Sequence, residues 1–191
     1  MNLSLAGKKA IVCGSTDGIG KASAILMAKR GAEITLVARN KDKLSITISE
    51  LSHEHGQKHS FISADFNYPD ELKQRIHTYF EQANYQGHIL VNNSGGPHGG
   101  QLIDAEDDEF RKAFERLLIC NHIMVKAVVP GMMELGTGRI INIISTSVRQ
   151  VIPGLGVSNT IRGSVAQWAK TLAHELGGHG ITVNNILPGY T

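Results

Sequence analysis

The sequence predicts an α/β fold: one parallel sheet with helices wound on both faces. Two observations carry this. Short apolar strand candidates alternate with helical stretches along the whole chain, which is the pattern of repeated βαβ units. A glycine-spaced loop, Gly14 to Gly20, also follows the first strand and opens the first helix. At 191 residues the chain has room for about one domain of roughly 150 residues, so 1–191 is read as a single domain.

The elements follow in order. Strand 9–13 (Lys9-Ala10-Ile11-Val12-Cys13) leads into helix 19–29, with Gly31 as its C-cap. Strand 33–38, helix 42–51, strand 59–63, helix 70–82 and strand 88–91 come next. Helix 106–133 opens on the acids Asp104, Glu106, Asp107, Asp108 and Glu109, which favour the positive end of a helix dipole. Its apolar stripe is Phe110, Phe114, Leu117, Met124 and Val128, with Asn121 at helical spacing on the same stripe. A buried asparagine there needs a hydrogen-bond partner. Strand 139–144 follows. In helix 158–176, Ile161, Val165, Trp168, Ala169, Leu172, Ala173 and Leu176 form one face. Gly177-Gly178 ends it, and strand 181–186 closes the series. Each strand is short and mostly apolar, as strands buried on both faces must be. Ligands of such sheets bind at the carboxyl ends of the strands.

Composition narrows the function. Lys and Arg number 19 against 17 Asp and Glu, a formal +2, which excludes a strongly basic nucleic-acid binder and an acidic tail. The start of the chain lacks the apolar core of a signal peptide. No apolar run is read as reaching the ~20 residues of a membrane span. Cys13 and Cys120 read as two small buried thiols, so a reducing, cytoplasmic compartment is expected. Glycine, 21 of 191, exceeds the usual ~7% and calls for tight turns or close approach to a ligand. His53, His55 and His59 read as exposed imidazoles rather than metal ligands. His174 and His179 are five apart across a glycine break, one too many for a zinc-binding His-Glu-x-x-His.

Gly14-Ser15-Thr16-Asp17-Gly18-Ile19-Gly20 has the form Gly-x-x-x-Gly-x-Gly. Glycines there let the backbone turn and approach a pyrophosphate, and the helix N-terminus offers free N–H groups. Placed directly after strand one, the loop reads as a dinucleotide site.

With Asn92-Asn93-Ser94-Gly95 after the fourth strand and Asn184-Asn185-Ile186-Leu187-Pro188-Gly189 after the sixth, the sequence resembles the short-chain dehydrogenase/reductases. The likeness runs from Leu5 to the last residue, and the 3-oxoacyl-carrier-protein reductases are the nearest-looking branch. The resemblance implies a Rossmann-type sheet and assigns the cofactor to the glycine loop, to Asn92, Asn93, Ser94 and Gly95, and to Pro188 and Gly189. Ser94 stands where the family usually has alanine.

For the cofactor, a carboxylate at the end of strand two would favour NAD. Ala38 stands there, followed by Arg39 and Asn40, and a guanidinium suits the 2′-phosphate of NADP. Asp17 runs against this, because NADP-using members often carry a basic residue nearby. Asp65 resembles the family aspartate that bonds the adenine amino group, with Phe66 supplying backbone. As an alternative, Asp65 only caps its loop.

At the catalytic positions, the resemblance gives Asn121 a relay water and Ser145 the substrate carbonyl. Where the family has Tyr-x-x-x-Lys, this chain has Ser158-Asn159-Thr160-Ile161-Arg162. The spacing keeps both side chains on one helix face. Serine is a weaker acid than a phenol, whereas arginine stays charged and can still fork to ribose hydroxyls. Three outcomes are open: Ser158 relays a proton with Arg162 beside it, another acid such as Tyr190 acts, or the protein binds NADP without useful reduction. The expected reaction is NADPH-dependent reduction of a small or carrier-bound carbonyl substrate. The resemblance further implies a homodimer or homotetramer paired through helices 106–133 and 158–176. It also implies a substrate lid and a seventh strand beyond Thr191, so truncation is expected.

Overall fold

The computed structural model describes residues 3–189. Six strands, β1 Lys9–Cys13, β2 Glu33–Ala38, β3 Ser60–Ser63, β4 Ile89–Asn92, β5 Gly138–Ile143 and β6 Ile181–Ile186, form one sheet in the order β3-β2-β1-β4-β5-β6. Every pairing is parallel. The order reverses between β1 and β4, so the loops after these two strands flank the crevice where such sheets bind ligands.

The central strands β1, β2 and β4 bury both faces, whereas the edge strand β6, expected to do the same, alternates buried and exposed residues because no further strand or helix covers its outer face among the described residues. Ala10 and Val12 of β1 pack with Ile34, Leu36, Ile89 and Val91 under α1 (Gly18–Lys29) and α2 (Lys41–Ser49). Ile11 and Cys13 point the other way, into a core shared with α3 (Pro69–Ala83), α5 (Cys120–Glu134) and α6 (Gly156–Leu176). A third cluster packs Ala113 of α4 (Asp107–Phe114) and Leu117 against Val157, Ile161 and Val165 of α6. The alternation follows from the two-residue period of a strand.

The expected helix 106–133 is three segments. Between α4 and α5 the chain widens into a π-helical segment, Glu115–Ile119, which adds a residue to the turn. The inserted residue breaks the phase of the apolar stripe. Leu117, Met124 and Val128 are buried, but Phe114, expected on the same stripe, is exposed. Of the five acids, Asp107, Asp108 and Glu109 occupy the first turn of α4 and Glu106 is its N-cap without a side-chain bond, but Asp104 belongs to a separate short turn, Leu102–Asp104.

By length and composition alone Asp107–Glu134 would pass for a membrane-crossing helix, against the expectation that no segment reaches that length. On it Cys120, Met124, Val125, Val128 and Met132 are buried in the core, while Phe114 and Met133 are exposed.

Other differences lie at the ends of elements. Helix α1 stops at Lys29 with Arg30 as its C-cap, and Gly31 takes the positive φ of 96° one residue later. Both cysteines are free and buried. Burial pushes the Cys13 thiol far above its ordinary range and the Cys120 thiol up to about 12, so neither is poised as a nucleophile.

Candidate active site

The glycine loop is built around Asn93. A Cβ on Gly14 would lie 2.7 Å from Asn93 Nδ2 and from Asn93 O, and one on Gly20 would collide with Gly14 O and Asn93 Nδ2. Asn93 Nδ2 donates to Gly14 O at 3.3 Å. Two of the glycines therefore make room for the loop after β4. Gly18, at φ 48°, has nothing within 4 Å of such a Cβ and is the one that opens outward. Asp17 caps α1, its carboxylate accepting from Gly18 N at 2.8 Å. Ser15 is buried and donates to Val37 O. Ile19 is exposed in the first turn of α1.

A cleft of about 350 Å³ opens beside this loop. Of the predicted residues, Gly14, Thr16, Arg39, Asp65, Phe66, Asn93, Ser94 and Gly95 line it. Asn40 lies outside and caps α2, accepting from Lys43 N at 2.9 Å. Asp65 Oδ1 accepts from both the N–H and the Nδ2 of Asn67, so it caps its own loop and lines the cleft as well. Asn92 does not reach the cleft. It lies in a ladder in which Asn92 Nδ2 donates to Asn142 Oδ1 at 2.9 Å and Asn142 Nδ2 to Asn185 Oδ1 at 3.1 Å. The three are register partners across β4, β5 and β6.

Beyond the cleft, α6 begins at Gly156, which puts Ser158 in its first turn, buried. Arg162 is one turn on. Its Nε donates to Ser158 Oγ at 3.2 Å, and its Nη1 donates to Ile143 O at 3.2 Å and Ile144 O at 2.9 Å. The guanidinium thus ties Ser158 to the end of β5, immediately before Ser145. Ser145 Oγ accepts from Ser147 N at 3.1 Å, and Thr146 N donates to Pro188 O, which draws the Pro188-Gly189 segment to the same rim. No ion pair to Arg162 occurs among the described residues, and burial lowers its pKa from the ordinary value. Asn121 is buried, and its Oδ1 has no partner among the described residues. Tyr190 lies outside the described residues.

Of the residues lining the cleft, Asn67, Gly96 and Arg116 were not singled out from sequence. Arg116 lines the cleft, with Nη1 donating to Gly96 O at 3.3 Å. Gly96 also has Arg162 Nη2 beside it, 3.3 Å from where a Cβ would sit, so one glycine is pinched between two guanidiniums. Only the second glycine of Gly95-Gly96 hinted at this in the sequence.

The model of the short chain dehydrogenase family matches residues 8–191. The chain belongs to that family. Among similar relatives of this chain is the very-long-chain 3-oxoacyl-CoA reductase of Anas platyrhynchos, 31% identical over 188 residues, covering 96% of this chain and 60% of that protein. Another is the inactive hydroxysteroid dehydrogenase-like protein 1 of Homo sapiens, 30% identical over 186 residues, covering 96% and 56%. The chain thus spans less than two thirds of the length of these relatives. In structure it superposes on L-sorbose reductase from Gluconobacter frateurii, complexed with NADPH and L-sorbose, with a TM-score of 0.91 at 31% identity, covering 99% of this chain and 72% of that one.

The residues of the cleft fit a dinucleotide. Gly18 and Gly95 leave open space where a side chain would stand, and α1 begins at Gly18 of the glycine loop, so its N-terminus opens from that loop.

Proposed function

We propose that this chain carries the NADP(H)-binding and proton-transferring part of a reductase that converts a carbonyl, of the 3-oxoacyl thioester kind, into a hydroxyl. The bond from Arg162 Nε to Ser158 Oγ carries this reading. It occupies an acceptor site of Ser158 and leaves the hydroxyl proton free to be given away. Ser145 is arranged alike, accepting from Ser147 N with its own proton free. Two hydroxyl donors held on adjoining elements suit a carbonyl oxygen that is becoming an alkoxide.

NADPH, when bound, supplies the hydride. Ser145 orients the carbonyl by donating to its oxygen. Ser158 gives its proton to the alkoxide. Arg162 stays cationic and stabilises the oxygen left on Ser158 until water restores the proton. An aliphatic hydroxyl is a weaker acid than a phenol of pKa ~10, so the guanidinium is essential to this step. The unpartnered Oδ1 of Asn121 supports a place for a relay water.

Arg39, exposed at the end of β2 with no carboxylate at Ala38, supports NADP over NAD. The same reading carries a reducing compartment, supported by two free thiols. It also carries pairing of two or four chains through 106–133 and 158–176, supported by Ile119, Ile123, Trp168 and Leu172, each only partly buried.

A second reading, an NADP-binding subunit with impaired chemistry, draws on the inactive human relative and on the absence of a phenol at position 158. Steady-state reduction of a panel of 3-oxoacyl thioesters with NADPH separates the two. Product formation supports the reductase. No turnover alongside micromolar NADPH binding supports the impaired subunit.

A further inference from the structure

Arg116 belongs to the wall of the glycine-loop cleft and has no part in the proton transfer. It is the second residue of the π-helical segment Glu115–Ile119. Its Nε and Nη2 both donate to Asn67 Oδ1, at 3.0 and 2.5 Å, and its Nη1 donates to Gly96 O at 3.3 Å. Asn67 passes the connection on, donating from Nδ2 to Asp65 Oδ1 at 2.8 Å. The connected residues run Asp65, Asn67, Arg116, Gly96. They join the loop after β3 to the loop after β4, and all four line the same cleft.

Side-chain chemistry matters at each link. A guanidinium is a rigid planar fork that reaches acceptors on two loops at once, whereas an ammonium is a single point. An amide can accept from Arg116 through its oxygen and donate to Asp65 through its nitrogen, so Asn67 is oriented from both sides. The carboxylate of Asp65 is thereby held at a fixed angle to the Gly95-Gly96 turn. Single π-helical turns inside longer helices often lie at functional sites, and here the turn contains the residue that spans the cleft.

We propose that Arg116 is a positioning residue for the adenosine half of the dinucleotide, fixing Asp65 and the Gly95-Gly96 turn as the two sides of one slot. This rests on the reading that the cleft takes NADP(H). Arg116 acts alike on every ligand that carries adenosine, and discrimination of the 2′-phosphate stays with Arg39.

The test is calorimetric titration of the full-length protein and its Arg116→Gln variant with NADPH, NADH and ADP-ribose, beside thermal melts. ADP-ribose carries adenosine and both bridging phosphates but neither nicotinamide nor 2′-phosphate. Loss of charge-assisted bonds predicts weaker binding of all three by a common factor of roughly tenfold or more. Arg116→Lys should not restore it, and Arg116→Gln should add little in an Asp65→Asn background. Arg39→Ala is the contrast and weakens NADPH alone. If Arg116→Gln melts early, Asn67→Ala severs the same connection from an exposed residue and should give the same common loss. A loss confined to NADPH would overturn the proposal, because Arg116 would then read the 2′-phosphate. Unchanged affinity for all three would also overturn it. Wild-type protein that binds none of the three overturns the dinucleotide reading itself, an outcome distinct from either of these.

Discussion

Arg162 is held by three acceptors, Ser158 Oγ and the carbonyls of Ile143 and Ile144. The fork geometry that satisfies them belongs to arginine, and a lysine at the same place reaches fewer. Arg162→Lys is therefore expected to lower kcat by ~10- to 100-fold while the NADPH Kd changes little, a split read by steady-state kinetics beside calorimetry. The spacing of Ser158 and Arg162 was legible in the sequence, because residues four apart share a helix face. The orientation of Asn92 was not. Asn92 and Asn93 are neighbours at a strand end, so their side chains point opposite ways. One meets Asn142 of the next strand, and the other seals the glycine loop. Reading both into the cleft treated a motif as if it had one face.

Among the elements, the glycines and the starts of β1 and β2 give two expectations. A Cβ at Gly20 meets backbone that cannot yield, Gly14 O above all. Gly20→Ala should cost ~1–3 kcal/mol of stability. Gly163→Ala in α6, where nothing lies within 4 Å, should be neutral or stabilising by ~0.5–1 kcal/mol. Urea midpoints measure both. The second expectation concerns pH. His59 Nδ1 accepts from Ile34 N at 3.0 Å, and His88 Nδ1 accepts from Lys9 N at 3.2 Å. Burial is the first cause that lowers both pKa values from the ordinary 6.5, and Lys8 and Lys9 add to it at His88. The native state therefore binds fewer protons than the unfolded chain once the pH falls below 6.5. Their contribution to stability is complete above that value and declines as the pH falls. The urea midpoint should drop between pH 7.5 and pH 5, and His59→Gln should flatten that dependence.

The π-helical segment Glu115–Ile119 was not legible in the sequence. Apolar spacing located a helix over 106–133, but an extra residue in one turn leaves the sequence looking helical while it rotates everything before it. Phe114 went to solvent and Arg116 went to the cleft for that reason, and no local residue type announces it.

At the scale of the whole molecule, six parallel strands place the glycine loop, Asn93, Asp65 and the Ser158–Arg162 pair at the carboxyl ends of one sheet. Alternating apolar runs and glycine spacing were enough to anticipate that arrangement, because burial of the central strands on both faces leaves little freedom in how they stack. We propose that Ser158, held by Arg162, gives the proton in an NADPH-dependent carbonyl reduction. Single-turnover reduction of a 3-oxoacyl thioester by NADPH-loaded protein, wild type against Ser158→Ala, tests it most directly. Hydroxyacyl product is expected from the wild type, with a rate ~10²-fold or more lower in the variant at unchanged NADPH affinity. Equal rates in the two proteins would contradict it.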